Sequence, residues 1–142
     1  MQTDEADPPA AVASLLDLLL AQALELARRT RDHLLHSSAP APESAADLVS
    51  ALTRAAEFGR ITSRLTASVA WLLARRAVLA GELEAQTATD PDWRLLALDE
   101  AWSSPLAVTD PVLAALDRES AILYARLRRL DAALDSKRSR GH

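Results

Sequence analysis

Apolar residues recur at steps of three and four in three long stretches of this chain, and proline-bearing breaks separate the stretches. That step repeats once per helical turn, so each stretch reads as a helix with one buried stripe. The first helix is expected over 9–36, after Asp7 as N-cap and Pro8-Pro9 at its start. Its stripe is Val12, Leu15, Leu16, Leu19, Ala23, Leu26, Thr30 and Leu34. A break rich in Ser, Ala and Pro follows. The second helix is expected from Glu43 or Ser44 to a glycine stop at Gly81. Its stripe is Leu48, Leu52, Ala55, Phe58, Ile61, Leu65, Val69, Leu72 and Leu79. Asp110-Pro111 is the cleanest start signal, and a third helix follows to about Asp135. Its stripe, Leu113, Leu116, Ser120, Leu123, Leu127, Leu130 and Leu134, alternates steps of three and four like a heptad seam.

Three such helices predict an all-α fold: an antiparallel three-helix bundle in a single domain, with flexible ends at 1–8 and 136–142. The 82–110 connection is expected to hold a short extra helix carrying Trp93 and Trp102. The central helix should be about 55 Å long, against about 42 and 37 Å for its neighbours. The apolar overhang is expected at its C-terminal end, around Val69, Trp71, Leu72, Leu73, Val78 and Leu79, covered either by the Trp93 to Trp102 segment or by a second copy of the chain. Composition supports this reading. Ala and Leu supply 30 and 26 of 142 residues, and there are only three Gly. With no Cys, neither disulfides nor thiolate metal sites are expected.

The net charge is −4, and the bases are 15 Arg and one Lys. A net-acidic chain with scattered Arg is a poor fit to duplex DNA. Asp4, Glu5 and Asp7 at the start argue against an export signal. Asp17, Gln22 and Glu25 interrupt the most apolar early stretch, so no membrane span is expected there. The chain reads as a soluble cytoplasmic protein that binds neither nucleic acid nor membrane.

The usual frameworks for catalysis are missing from the sequence. Asp32, His33 and His36 share a helix face, but they match no metal motif and have no second ligand cluster. No metal, cofactor or catalytic residue is therefore expected. The Arg residues are more informative. Arg54, Glu57, Arg60 and Arg64 fall at steps of three and four on the second helix, and Arg126, Arg128 and Arg129 form a second group. Each group is either a solvated or bundle-holding face or a contact to a partner. Trp71 reads as core.

One run on the second helix has a recognisable pattern: Glu57-Phe58-Gly59-Arg60-Ile61-Thr62-Ser63-Arg64-Leu65, then Trp71-Leu72-Leu73, Arg76-Ala77-Val78 and Gly81-Glu82. Together with Tyr124-Ala125-Arg126-Leu127-Arg128-Arg129-Leu130-Asp131, it resembles the RcdA family, the alphaproteobacterial regulators of CtrA degradation. The resemblance implies a three-helix bundle that self-associates, as a homodimer. It implies a non-enzymatic adaptor that delivers cell-cycle regulators to the ClpXP protease together with a CpdR-like response regulator. It points to Glu57, Arg60, Arg64, Trp71, Arg76, Glu82, Arg126 and Arg129 as positions that bind a partner or hold the bundle. A helical homodimerisation or scaffold module with no role in proteolysis is the alternative. Charge reversal at Arg60 or Arg64 separates the two roles, because a binding residue can be reversed with little loss of thermal stability.

Overall fold

The computed structural model describes residues 8–37, 40–85, 94–95 and 110–140. Three helices make up the described fold: α1 (Pro8–His36), α2 (Ala45–Leu79) and α3 (Pro111–Arg140). Their starts follow local chemistry. Ser44 caps α2 from an extended conformation, and its side chain accepts the Asp47 N–H at 3.1 Å. Asp47 in turn accepts the Glu43 N–H at 3.3 Å. Asp110 caps α3 by accepting the Leu113 N–H at 3.0 Å, and Pro111 fills the first position, where no N–H is needed. The expected Asp7 cap, residues 1–7 and 141–142, and most of the expected short helix at 90–102 lie outside the described residues. Arg94 and Leu95 within that stretch are not helical, and Pro8 and 136–140, expected among the flexible ends, are helical.

Gly81 ends α2. With φ +76° it turns the chain, so its own N–H reaches Val78 O at 3.1 Å and the Glu82 N–H reaches Ala77 O at 2.9 Å. This pair of bonds is the Schellman arrangement, and it needs a left-handed residue after the helix. At the other limit, α3 runs on to Arg140, past the expected end near Asp135. The leucine stripe stops at Leu134, but Ser136 to Ser139 contain no helix breaker, and the next glycine is Gly141.

Each helix contributes one stripe to a single core. Leu16, Leu19 and Ala23 of α1 meet Ile61, Trp71 and Leu72 of α2 and Leu113, Leu116 and Leu127 of α3, all nearly inaccessible. Each fully buried Leu or Ile contributes about 1.5–3 kcal/mol. α1 is long and apolar enough to cross a membrane by length and composition, its most apolar 18-residue stretch having a mean hydropathy of 1.7 despite Asp17, Gln22 and Glu25. Only 28% of that stretch is buried: Leu16, Leu19, Ala23 and Leu26 enter the core, whereas Leu18 and Leu24 are exposed.

The helix directions differ from the expected antiparallel order. α1 is antiparallel to α2, since Asp17 meets Arg76 while Ser37 meets Arg54. α2 and α3 run parallel, because Arg54 meets Asp110, Arg64 meets Asp117 and Ser120, and Arg75 meets Asp131. The short 37–44 connection forces a hairpin. The longer stretch between Gly81 and Asp110 can span the length of the bundle and bring α3 back to start beside Arg54. An apolar overhang consequently sits at the N-terminal end of α2, where Leu48, Val49 and Leu52 are exposed. At the expected C-terminal end, Trp71 and Leu72 are buried but Leu73 and Leu79 are exposed. Leu34 and Leu79, also expected in the stripes, are exposed as well.

The two described glycines should respond oppositely to alanine. Gly81→Ala should cost about 1 kcal/mol through the strained φ. Gly59 lies inside α2 with nothing within 4 Å of an added Cβ, so Gly59→Ala should add about 0.5–1 kcal/mol. Urea denaturation of both variants measures this.

Candidate functional site

The α2–α3 contact is a seam of charged and polar side chains set among leucines. Its logic is positional. Arg54, Arg64 and Arg75 lie ten and eleven residues apart on α2, close to three helical turns each. On α3, Asp110, Asp117, Tyr124 and Asp131 recur every seven residues. Each series therefore keeps to one face.

At the lower end, Asp110 joins all three helices. Its carboxylate sits 2.9 Å from His33 Nε2 of α1 and 2.6 Å from Arg54 Nη1 of α2. Arg54 also donates to the Ser37 hydroxyl at 2.6 Å, and that hydroxyl donates to the His33 carbonyl. The Phe58 ring lies beside both groups, 5.9 Å from the His33 ring and 5.3 Å from the Arg54 guanidinium carbon. Burial pushes the Asp110 pKa up. The hydrogen bonds from His33, the Leu113 N–H and Arg54 outweigh it and hold the pKa at about 2, against an ordinary 3.8.

In the middle, the buried Arg64 donates to the Asp117 carboxylate at 2.5 Å, to the Asp117 carbonyl at 3.1 Å and to Ser120 Oγ at 3.2 Å. Arg60 approaches the same carboxylate at 3.6 Å. Ser68 and Ser120 are completely buried, and their hydroxyls are satisfied by Arg64 O and Asp117 O within their own helices. At the upper end, Arg75 and Asp131 form a buried pair at 3.0 Å. The Arg75 guanidinium carbon also stacks 5.3 Å over the Trp71 ring. Arg94, from the connection, reaches Asp135 at 3.1 Å and the far oxygen of Asp131 at 3.9 Å. Burial raises the Tyr124 pKa; Arg128 lowers it and Asp131 raises it, and the net shift is upward.

The residues singled out from sequence fall into two groups. Glu57, Arg64 and Trp71 are buried in the bundle, and Arg60 joins them at the edge of the seam. Arg76 makes an exposed pair with Asp17 of α1 at 2.7 Å. Glu82 serves α2 through its backbone N–H, and its side chain is exposed. Arg126 and Arg129 lie exposed on the outer surface of α3, away from the seam. The weaker metal candidates are otherwise engaged. His33 pairs with Asp110, His36 Nδ1 donates to the Asp32 carbonyl at 2.6 Å, and the Asp32 carboxylate binds Arg31 at 2.9 Å. Sequence reading allowed that the arginine row meets acids of another helix but named neither the seam's aspartates nor Arg75. The heptad repeat of Asp110, Asp117 and Asp131 was the signal available for the aspartates.

Comparison with known families adds one finding. A family described as "Protein of unknown function (DUF1465)" matches residues 8–141. The chain belongs to that family. The DUF1465 match covers all three helices and the connection between α2 and α3, so the seam lies wholly within it. No curated protein and no solved structure matches the chain.

Two measurements test the seam. Arg64→Ala strips a buried guanidinium from Asp117 and Ser120 and should cost about 3 kcal/mol. Arg60→Ala, at a half-exposed and longer pair, should cost less than about 1 kcal/mol. Chemical denaturation of the two variants reads the difference. Asp110→Asn keeps the cap and removes the charge. A lowered carboxylate pKa stabilises the fold above its unfolded value of about 4 and ceases to do so as pH falls towards 2. The variant should be about 1 kcal/mol less stable at neutral pH. Thermal melts from pH 7 to pH 2 should show the gap closing at the acid end.

Proposed function

We propose that this chain is a non-enzymatic protein–protein adaptor of the RcdA kind, acting in the cytoplasm. It delivers cell-cycle regulators to the ClpXP protease together with a CpdR-like response regulator. The observation that carries the reading is the apolar surface left uncovered on a small bundle. Leu34 and Leu35 before the α1–α2 connection, and Leu48, Val49 and Leu52 after it, are all exposed. Exposed apolar clusters of this kind mark protein contact surfaces. The motif shared with RcdA adds support, since its Glu57, Arg64 and Trp71 are the residues that tie α2 into the bundle. The mechanism is tethering. One contact to the protease machinery and another to the cargo raise the cargo's effective concentration at the protease.

The same uncovered row on α2, Leu48 and Leu52 one turn apart, also suits a second copy of the chain. That favours the alternative of a homodimeric scaffold with no part in proteolysis.

A degradation assay separates the two. Purified ClpXP, the host's CpdR-like regulator and a cell-cycle cargo are incubated with and without the chain. Adaptor function predicts faster cargo loss that requires both the chain and the regulator. It also predicts that Leu48→Asp with Leu52→Asp slows that loss with little change in Tm. Cargo loss that ignores the chain, with two-chain particles in sedimentation, favours the scaffold.

A further inference from the structure

The outer surface of α3 carries a charge pattern that the bundle does not use. Arg118, Ile122, Arg126 and Arg129 follow one another at steps of four, four and three, so they share one face. All four are exposed, Ile122 by 61%. No ion pair within the described residues engages any of the three arginines. Beside this ridge runs a groove of about 480 Å³ between α1 and α3, with Leu18, Ala21, Leu26 and Leu123 among its walls and Ile122 and Arg126 on its rim. Leu18, on the facing helix, is 56% exposed.

The acids of the groove do not neutralise the ridge. Glu119 is held by Arg29 at 2.9 Å and Glu25 by Arg28 at 2.8 Å. Among the described residues the result is an apolar trough with an uncompensated positive edge, on a chain whose net charge is −4. We propose that this face docks an acidic amphipathic helix of a partner protein. The partner's apolar side chains enter between Leu18 and Ile122, and its carboxylates meet Arg118, Arg126 and Arg129. A trough between two helices matches the i, i+3, i+4, i+7 anchors of a third. A second copy of the chain fits less well. A two-fold contact centred on Ile122 would bring Arg118 against the copy's Arg126 and leave like charges facing each other. The surface stands apart from the proteolysis reading, and its test contains no protease.

The probe is a fluorescein-labelled synthetic helix with leucines at i, i+3, i+4 and i+7 and glutamates on its flanks, paired with a twin in which lysine replaces glutamate. Fluorescence anisotropy is read with the full chain. The glutamate peptide should bind and weaken as salt rises, and the lysine twin should not bind. Arg126→Glu with Arg129→Glu, or Leu18→Asp alone, should weaken binding tenfold or more. Arg31→Glu, an exposed substitution away from this groove, should leave binding unchanged. All the substituted side chains are exposed, and thermal melts confirm that each variant folds. Equal binding of the two peptides, or unaltered binding by the ridge variants, overturns the proposal. So does sedimentation in which the ridge variants break up a dimer of the wild-type chain, since the occupant is then a second copy.

Discussion

The spacing of charge along two helices governs the rest of this structure. Arginines about three turns apart on α2 meet aspartates seven and fourteen residues apart at the start of α3 and along it. A core of leucine and alanine accepts a neighbouring helix in either direction and in several registers. Buried ions do not. In the reverse direction the end pairs would still meet, but Asp117 would face Ser68, and the buried Arg64 would face Ala121. An unpaired buried guanidinium costs several kcal/mol, so one direction and one register are selected. Asp110 extends the constraint to α1 through His33, and the whole bundle is keyed at that corner.

This division explains which features were legible in the residues. The starts of α2 and α3 and the end of α2 were, because Ser44, Asp110-Pro111 and Gly81 act on a few neighbouring backbone groups and need no tertiary context. The stripes of α1 and α3 were legible for the same reason, and Leu16, Leu19, Leu113, Leu116 and Leu127 are buried. The burial of Leu48 and Leu52 was not decidable from sequence. A stripe shows which face would be buried but not how far a neighbour reaches, and α3 begins only at the level of Arg54. The direction of α3 depends on where the long connection returns the chain, which no local signal records. Half of the seam was visible as a row of arginines. Its aspartates stood out less, because surface aspartates are common and only their interval of seven distinguishes these.

Part of the run from Glu57 to Glu82 lies inside the bundle, while Thr62, Leu73, Arg76 and Glu82 are exposed. Glu57, Arg64 and Trp71 are buried, and Arg60 adds to the pair at Asp117. Reversing the charge of Arg64 would therefore test the fold before it tested any partner. The exposed surfaces include the apolar end around the α1–α2 connection and the arginine ridge of α3. The inner residues set the shape that holds these outer surfaces in fixed relation.

The central claim, that the seam sets α2 and α3 parallel, can be measured directly. The chain has no cysteine, so pairs of spin labels can be placed without background. Ala51 and Val112 are exposed near the starts of α2 and α3, and Ser136 is exposed near the end of α3. Electron–electron double resonance on Ala51→Cys with Val112→Cys should give a short distance, and Ala51→Cys with Ser136→Cys one longer by roughly 30 Å, from the helical rise. The opposite order, with Ser136 the nearer label, would contradict the parallel arrangement and the seam that depends on it.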